Sequence, residues 1–197
     1  MKKILALGAH YDDVEIGVGG TLLKHVQGGD TVFIAVTSSN ESRTGSVSIR
    51  YKEQIKALSL INIPTCNLLL FSDEQNDFDI IGKLDSLDVD VVYSMFEFDT
   101  HQAHRRSSYI GQSVGRKLTK QVVFYNSGSS YNFTPNAFSI IDFDFKRKLL
   151  NCFESQINLS AIDVDIIQRR ESFWASLIVD YPAYVEGLLV RKMLYIV

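Results

Sequence analysis

The chain has 197 residues, of which 46% are hydrophobic and 22% charged, with a net charge of −3. That length and balance fit one domain over 1–197 and exclude a chain disordered throughout. Its 20 basic residues are scattered rather than clustered, which argues against nucleic acid as a partner. Two cysteines, Cys66 and Cys152, are too few for a disulfide scaffold, so a reduced, cytoplasmic setting is expected.

From the N-terminus, residues 4–9 read as a buried strand. Lys2-Lys3 ahead of it imitates a signal peptide, but the apolar run stops at His10, short of the ~7–15 residues an h-region needs. Residues 15–27 predict a helix closed by Gly28-Gly29, and 31–37 a second strand. A polar loop follows over 38–48. The spacing over 50–60 predicts a helix with Ile55, Leu58 and Tyr51 on one face. Residues 67–71 and 89–95 read as strands around a helix at 78–87. A helix over 104–118 then leads to a strand at 121–125. Further on, 138–141 reads as a strand, and 145–156 and 162–178 as helices. The apolar tail 188–197 is interrupted by Arg191-Lys192 and falls far short of the ~20 residues of a membrane span. Strands that are apolar on both faces and alternate with helices predict an α/β fold, a Rossmann-like three-layer sandwich with a mostly parallel sheet.

In such sheets ligands bind where the chain leaves the carboxyl ends of the strands. The first strand opens into His10-Tyr11-Asp12-Asp13, and the strand at 89–95 is followed by Asp99-Thr100-His101-Gln102-Ala103-His104. The remaining histidine, His25, falls inside a helix and reads as a surface or packing residue. Catalytic zinc takes three imidazole or carboxylate ligands and keeps a position open. One histidine and one carboxylate from the first loop, with one histidine from the second, would supply that set. A neighbouring carboxylate could then act as general base. Spacing alone leaves a second explanation equally open, an acidic cap at a helix N-terminus. Gly17, Gly19 and Gly20 lie too far past the strand for a dinucleotide fingerprint. They read instead as points where the helix approaches the sheet or the site closely.

The run from Ala9 to Thr21, A-H-Y-D-D-V-E-I-G-V-G-G-T, resembles the A-H-P-D-D-E-x-x-G-x-G-G-T signature of the PIG-L/LmbE-like zinc-dependent de-N-acetylases. Asp99-x-His101-x-x-His104-Arg105 is similar to that family's D-x-H-P-D-H-R, and Arg50-x-x-Glu53-x-x-x-Ala57 to its R-x-x-E-x-x-x-A helix. Pro135-Asn136-Ala137-Phe138, Ser155-Gln156 and Tyr184-Val185-Glu186-Gly187 follow in family order. The resemblance implies that His10, Asp13 and His104 bind Zn2+, that Asp12 is the general base, and that His101 is the general acid or stabilises the oxyanion. It implies a substrate contact for Arg50, whose alternative is a surface pair with Glu53.

The chain departs from the pattern at Tyr11, Val14 and Phe153. A further departure is Ala103, where the family carries an aspartate beside the catalytic histidine. Asp99 or Glu97 are the candidates to replace it. The implied function is zinc-dependent removal of an N-acetyl group from a small-molecule amino sugar or sugar conjugate, with a homo-oligomer allowed. The alternatives are a zinc amidase acting on a non-acetyl or non-sugar amide, and a binding module with a degraded site. Arg43, Arg50, Arg105 and Arg106 near the motifs favour an anionic sugar conjugate slightly over a free sugar.

Overall fold

The computed structural model describes residues 1–42, 45–116, 121–179 and 182–193. Five strands of the sheet run parallel: β1 (Lys3–Gly8), β2 (Thr31–Val36), β3 (Leu68–Leu70), β4 (Val91–Met95) and β5 (Gln121–Tyr125). Strand β7 (Val185–Met193) lies antiparallel between β5 and β6 (Ala137–Ile140), giving the order β3-β2-β1-β4-β5-β7-β6. The α/β, Rossmann-like, mostly parallel architecture expected from the alternating pattern is therefore the observed one.

Side chains of a strand alternate between faces, and β1 divides its apolar residues accordingly. Ile4 and Ala6 join a core with α1 (Asp13–Gln27), α2 (Val47–Ile61) and α5 (Phe143–Leu150). Leu5 and Leu7 join the opposite core with α3 (Asp77–Asp85) and α4 (Gln102–Val114). Two further helices, α6 (Glu154–Asn158) and α7 (Val164–Ala175), follow α5.

Strand order reverses beside β1: the chain moves outward through β2 and β3, then returns to place β4 on the other side of β1. The carboxyl ends of β1 and β4 thus frame the crevice where ligands bind in open α/β sheets.

Three expectations need correction. The helix expected over 145–156 is two helices, because Phe153 leaves helical dihedrals (φ −95°, ψ 54°) while its side chain is fully buried. Tyr51 is 42% exposed, and α2 instead buries Arg50, Gln54, Ala57, Leu58 and Ile61. Helix α4 starts at Gln102 rather than 104, since His101 caps it by accepting the Ala103 N–H. At Gly17 a Cβ would lie 2.0 Å from the Tyr125 ring, so the close approach expected of that glycine is present.

Candidate metal and catalytic site

Three loops converge at the crevice. The loop after β1 and the first residue of α1 bring His10, Asp12 and Asp13, the loop after β4 and the first turn of α4 bring Asp99, His101 and His104, and the loop after β5 brings Ser127 to Ser130. His10, Asp13 and His104 are buried, and one ligand atom from each lies within 4.8 Å of the others. His10 Nδ1 is 3.4 Å from Asp13 Oδ2, and His104 Nε2 is 3.5 Å from Asp13 Oδ1. Asp13 Oδ2 accepts the N–H groups of Ala9 (2.9 Å) and His10 (2.7 Å), which fixes its carboxylate at the start of α1. Burial would raise its pKa, but His104 and His10 outweigh that and hold it well below the usual carboxylate range.

Behind His104 stands Asp99, its carboxylate 3.2 Å from Nδ1. Asp99 is 1% exposed and accepts from Ser127 Oγ (2.5 Å), Ser129 Oγ (2.8 Å), Ser130 Oγ (3.1 Å) and the His101 N–H (2.8 Å). A buried carboxylate so fully hydrogen-bonded stays ionised despite its desolvation, and its pKa is accordingly lowered. With Ser129 Oγ, 3.1 Å from Nδ1, it orients the His104 ring so that Nε2 faces Asp13.

Asp12 adjoins this cluster. Its backbone sits at φ 105°, a strained conformation for a residue with a side chain. Burial and the neighbouring Asp13 carboxylate push its pKa up, while Arg50 opposes them. Arg50 is itself buried, donates from Nη2 to the Tyr11 carbonyl at 3.0 Å, and lies 3.6 Å from Asp12 Oδ2. The surface pair with Glu53 does not form; the Glu53 carboxylate accepts the N–H and hydroxyl of Ser155 instead.

His101 stacks on His104, with ring centroids 4.6 Å apart. Its Nδ1 accepts the Ala103 N–H at 3.3 Å, which assigns the ring proton of the neutral form to Nε2. Its pKa is lowered by burial and by the two neighbouring histidines. Neither candidate replaces the aspartate missing at Ala103. Asp99 engages the His101 backbone and the His104 ring, and Glu97 pairs with Arg191 at 2.6 Å.

The site opens into a cavity of about 550 Å³. Its lining joins His10, Asp12, Asp13, His101, His104, Ser127 and Ser129 to an apolar stretch, Ile162, Ile166 and Ile167, and to Arg170. Of the arginines expected near an anionic group, Arg50 lines this cavity. Arg105 donates to the Asp99 and Thr100 carbonyls, and Arg106 pairs with Asp77 and Asp73, so both serve the loops around α4. Arg43 lies outside the described residues.

Two residues escaped the sequence reading, Glu15 two positions past Asp13 and Arg170 on the cavity wall. Glu15 is fully buried and accepts from Gln54 Nε2 at 2.6 Å, with its pKa pushed up by burial to about 7. An acid embedded in the apolar stretch from Val14 to Val18 was the available signal. Arg170 gave none, since Arg169-Arg170-Glu171 looks like a solvated charged face.

The donors fit a catalytic zinc ion. Two imidazoles and a carboxylate converge from the ends of β1 and β4, an acid orients one imidazole from behind, and a cavity adjoins the cluster.

Residues 5–114 match the model of the family described as PIG-L: GlcNAc-PI de-N-acetylase. The chain is 31% identical over 153 residues to the uncharacterized deacetylase YaiS of Escherichia coli K12, covering 71% of this chain and 82% of that protein. Among solved structures, the N,N'-diacetylchitobiose deacetylase of Pyrococcus horikoshii superposes with a TM-score of 0.77 at 18% identity, covering 97% of this chain and 84% of that one. GalB, the 4-carboxy-2-hydroxymuconate hydratase of Pseudomonas putida KT2440, superposes with a TM-score of 0.79 at 16% identity, covering 100% and 99%. Likeness at that level establishes the fold, and one fold hosts more than one reaction.

Proposed function

The chain belongs to the PIG-L family and is a hydrolytic deacetylase, and from that premise we propose that it uses zinc to remove an N-acetyl group from an amino sugar or sugar conjugate. The observation that carries this reading is the buried His10–Asp13–His104 cluster with a further carboxylate, Asp12, beside it.

Zinc held by those three residues supplies Lewis acidity toward the amide carbonyl and makes a water molecule acidic near neutral pH. Asp12 accepts the proton of the attacking water, and Arg50 keeps its carboxylate turned into the cavity. His101 donates from Nε2 to the developing oxyanion. His101 or Asp12 then delivers a proton to the departing amine, so that one water and one amide become acetate and a free amine. Arg50, on the cavity wall, also contacts the substrate.

The substrate class rests on the family description and on the acetylated sugar named for the Pyrococcus relative. Among the described residues no helix is long and apolar enough to cross a membrane. Both cysteines are free, in keeping with a cytoplasmic setting.

The test is acetate release from a panel of N-acetylhexosamines and their nucleotide and lipid conjugates, with and without a chelator. Release from at least one member, abolished by chelation and restored by zinc, is expected. Amine release from other amides alone would favour the amidase alternative. No reaction with any amide would leave the binding module.

A further inference from the structure

The end of the first motif and the segment Tyr184-Val185-Glu186-Gly187 meet inside the protein. Helix α1 leaves helical dihedrals at Val18 (φ −140°, ψ 16°), so two helical segments are joined there. Side chains meet the backbone groups on both sides of the break. The Gly20 N–H donates to Glu186 Oε1 at 2.8 Å, and the Thr21 N–H and hydroxyl donate to Oε2 at 2.7 and 2.5 Å. In an unbroken helix those two N–H groups would point to the carbonyls of Ile16 and Gly17. The Ile16 carbonyl accepts instead from Arg170 Nη2 at 3.1 Å.

Buried ions connect the two caps. Lys146 Nζ lies 2.6 Å from Glu186 Oε1 and 2.5 Å from Glu171 Oε1, and Arg170 Nη2 lies 3.5 Å from that same Glu171 oxygen. Lys146, Glu171 and Glu186 are each 0% exposed, and two cations balance two anions. A buried cluster of this kind adds little net stability, because apolar residues of equal volume fill the space as well. It does impose a geometry. The segment from Asp13 to Gly17 is little more than one turn, too short to hold an orientation by its own hydrogen bonds. Its direction is therefore set by what grips its ends, and its front end carries Asp12 and Asp13.

We propose that Glu186 and Arg170 are positioning residues of the metal site. They hold α1 in its broken form and so set the angle at which Asp12 and Asp13 face His104. The proposal rests on His10, Asp13 and His104 being the zinc ligands.

The experiment is zinc affinity by competition with a chromogenic chelator, measured on wild type, Glu186→Gln and Arg170→Met. Ile80→Val and Ile80→Ala, in the core on the opposite face of the sheet, control for lost stability, with melting recorded for every metal-free protein. Loss of an outer partner of a metal site typically weakens affinity ~10–100-fold. Glu186→Gln and Arg170→Met are expected to do so, whereas an Ile80 variant with an equal melting loss stays within twofold of wild type. Folded variants at both positions that bind zinc within twofold of wild type overturn the proposal. So does an Ile80 variant that loses as much affinity as they do. If Glu186→Gln does not fold, Arg170→Met decides by the same criterion. Wild type that binds no zinc removes the ligand assignment, and this proposal with it, before any variant is compared.

Discussion

The carboxylate of Asp99 lies 3.2 Å from Nδ1 of His104, while Asp13 Oδ1 faces Nε2 of the same ring at 3.5 Å. One imidazole is thus held between a carboxylate that orients it and a carboxylate of the proposed ligand set. Replacing the acid leaves Ser129 Oγ, 3.1 Å away, to hold Nδ1, so the ring is less firmly placed. Asp99→Asn is expected to weaken zinc binding ~10–100-fold, with the fold intact by far-UV circular dichroism. Unchanged affinity would detach Asp99 from the metal site.

Zinc content itself checks the ligand set. Protein purified without chelator should carry about one zinc ion per chain, as a three-ligand site implies. His10→Ala, Asp13→Ala and His104→Ala should each lose it on elemental analysis. A His104→Ala variant with full zinc and unchanged affinity would show that the ligands lie elsewhere.

Among the described residues His101 Nδ1 accepts the Ala103 N–H and has no hydrogen-bonded carboxylate. His101→Ala should keep its zinc and lose turnover. Ala103→Asp should preserve or raise turnover by giving the ring an acid to lean on. If His101→Ala loses zinc on elemental analysis, the residue is a ligand.

Gly17 packs where a Cβ would meet the ring of Tyr125, which is fully buried and whose hydroxyl donates to the Leu7 carbonyl at 2.5 Å. The ring has no room to retreat. Gly17→Ala is expected to cost on the order of 1–3 kcal/mol in urea unfolding, the usual range for overpacking. A variant as stable as wild type would mean that α1 can move off the sheet.

Far from the site, the Asp30 carboxylate accepts from His25 Nδ1 at 2.8 Å and from the Lys2 N–H at 2.7 Å. Burial would raise its pKa, but these hydrogen bonds outweigh it and leave it lowered. A depressed carboxylate stabilises the fold above its unfolded pKa of about 3.9 and loses that contribution as pH falls through its folded value. The melting difference between wild type and Asp30→Asn should therefore be present at pH 6 and shrink below about pH 4. A difference independent of pH over that range would exclude the linkage.

Much of the fold was legible because β1 to β5 are short apolar runs between polar turns, and the His10 and His104 loops lie at their ends. The insertion of β7 between β5 and β6 was not legible: an antiparallel strand that closes a parallel sheet carries no local mark of its neighbours. The site divides in the same way. His10, Asp12, Asp13, His101 and His104 announce themselves by residue type and spacing. Arg170 reaches the cavity, and the serines gather around Asp99, only through the tertiary fold. Arg105 adjoins the last motif in sequence, yet its guanidinium turns back to its own loop.

Asp12 is the proposed base beside a proposed zinc site built from His10, Asp13 and His104. Asparagine tolerates the positive φ at this position almost as well as aspartate, so Asp12→Asn tests chemistry rather than the turn. The decisive measurement is acetate release and zinc content of Asp12→Asn beside wild type. One zinc per chain with kcat lower by ~10²–10⁴ is the expected result; near-wild-type turnover with zinc bound would contradict it.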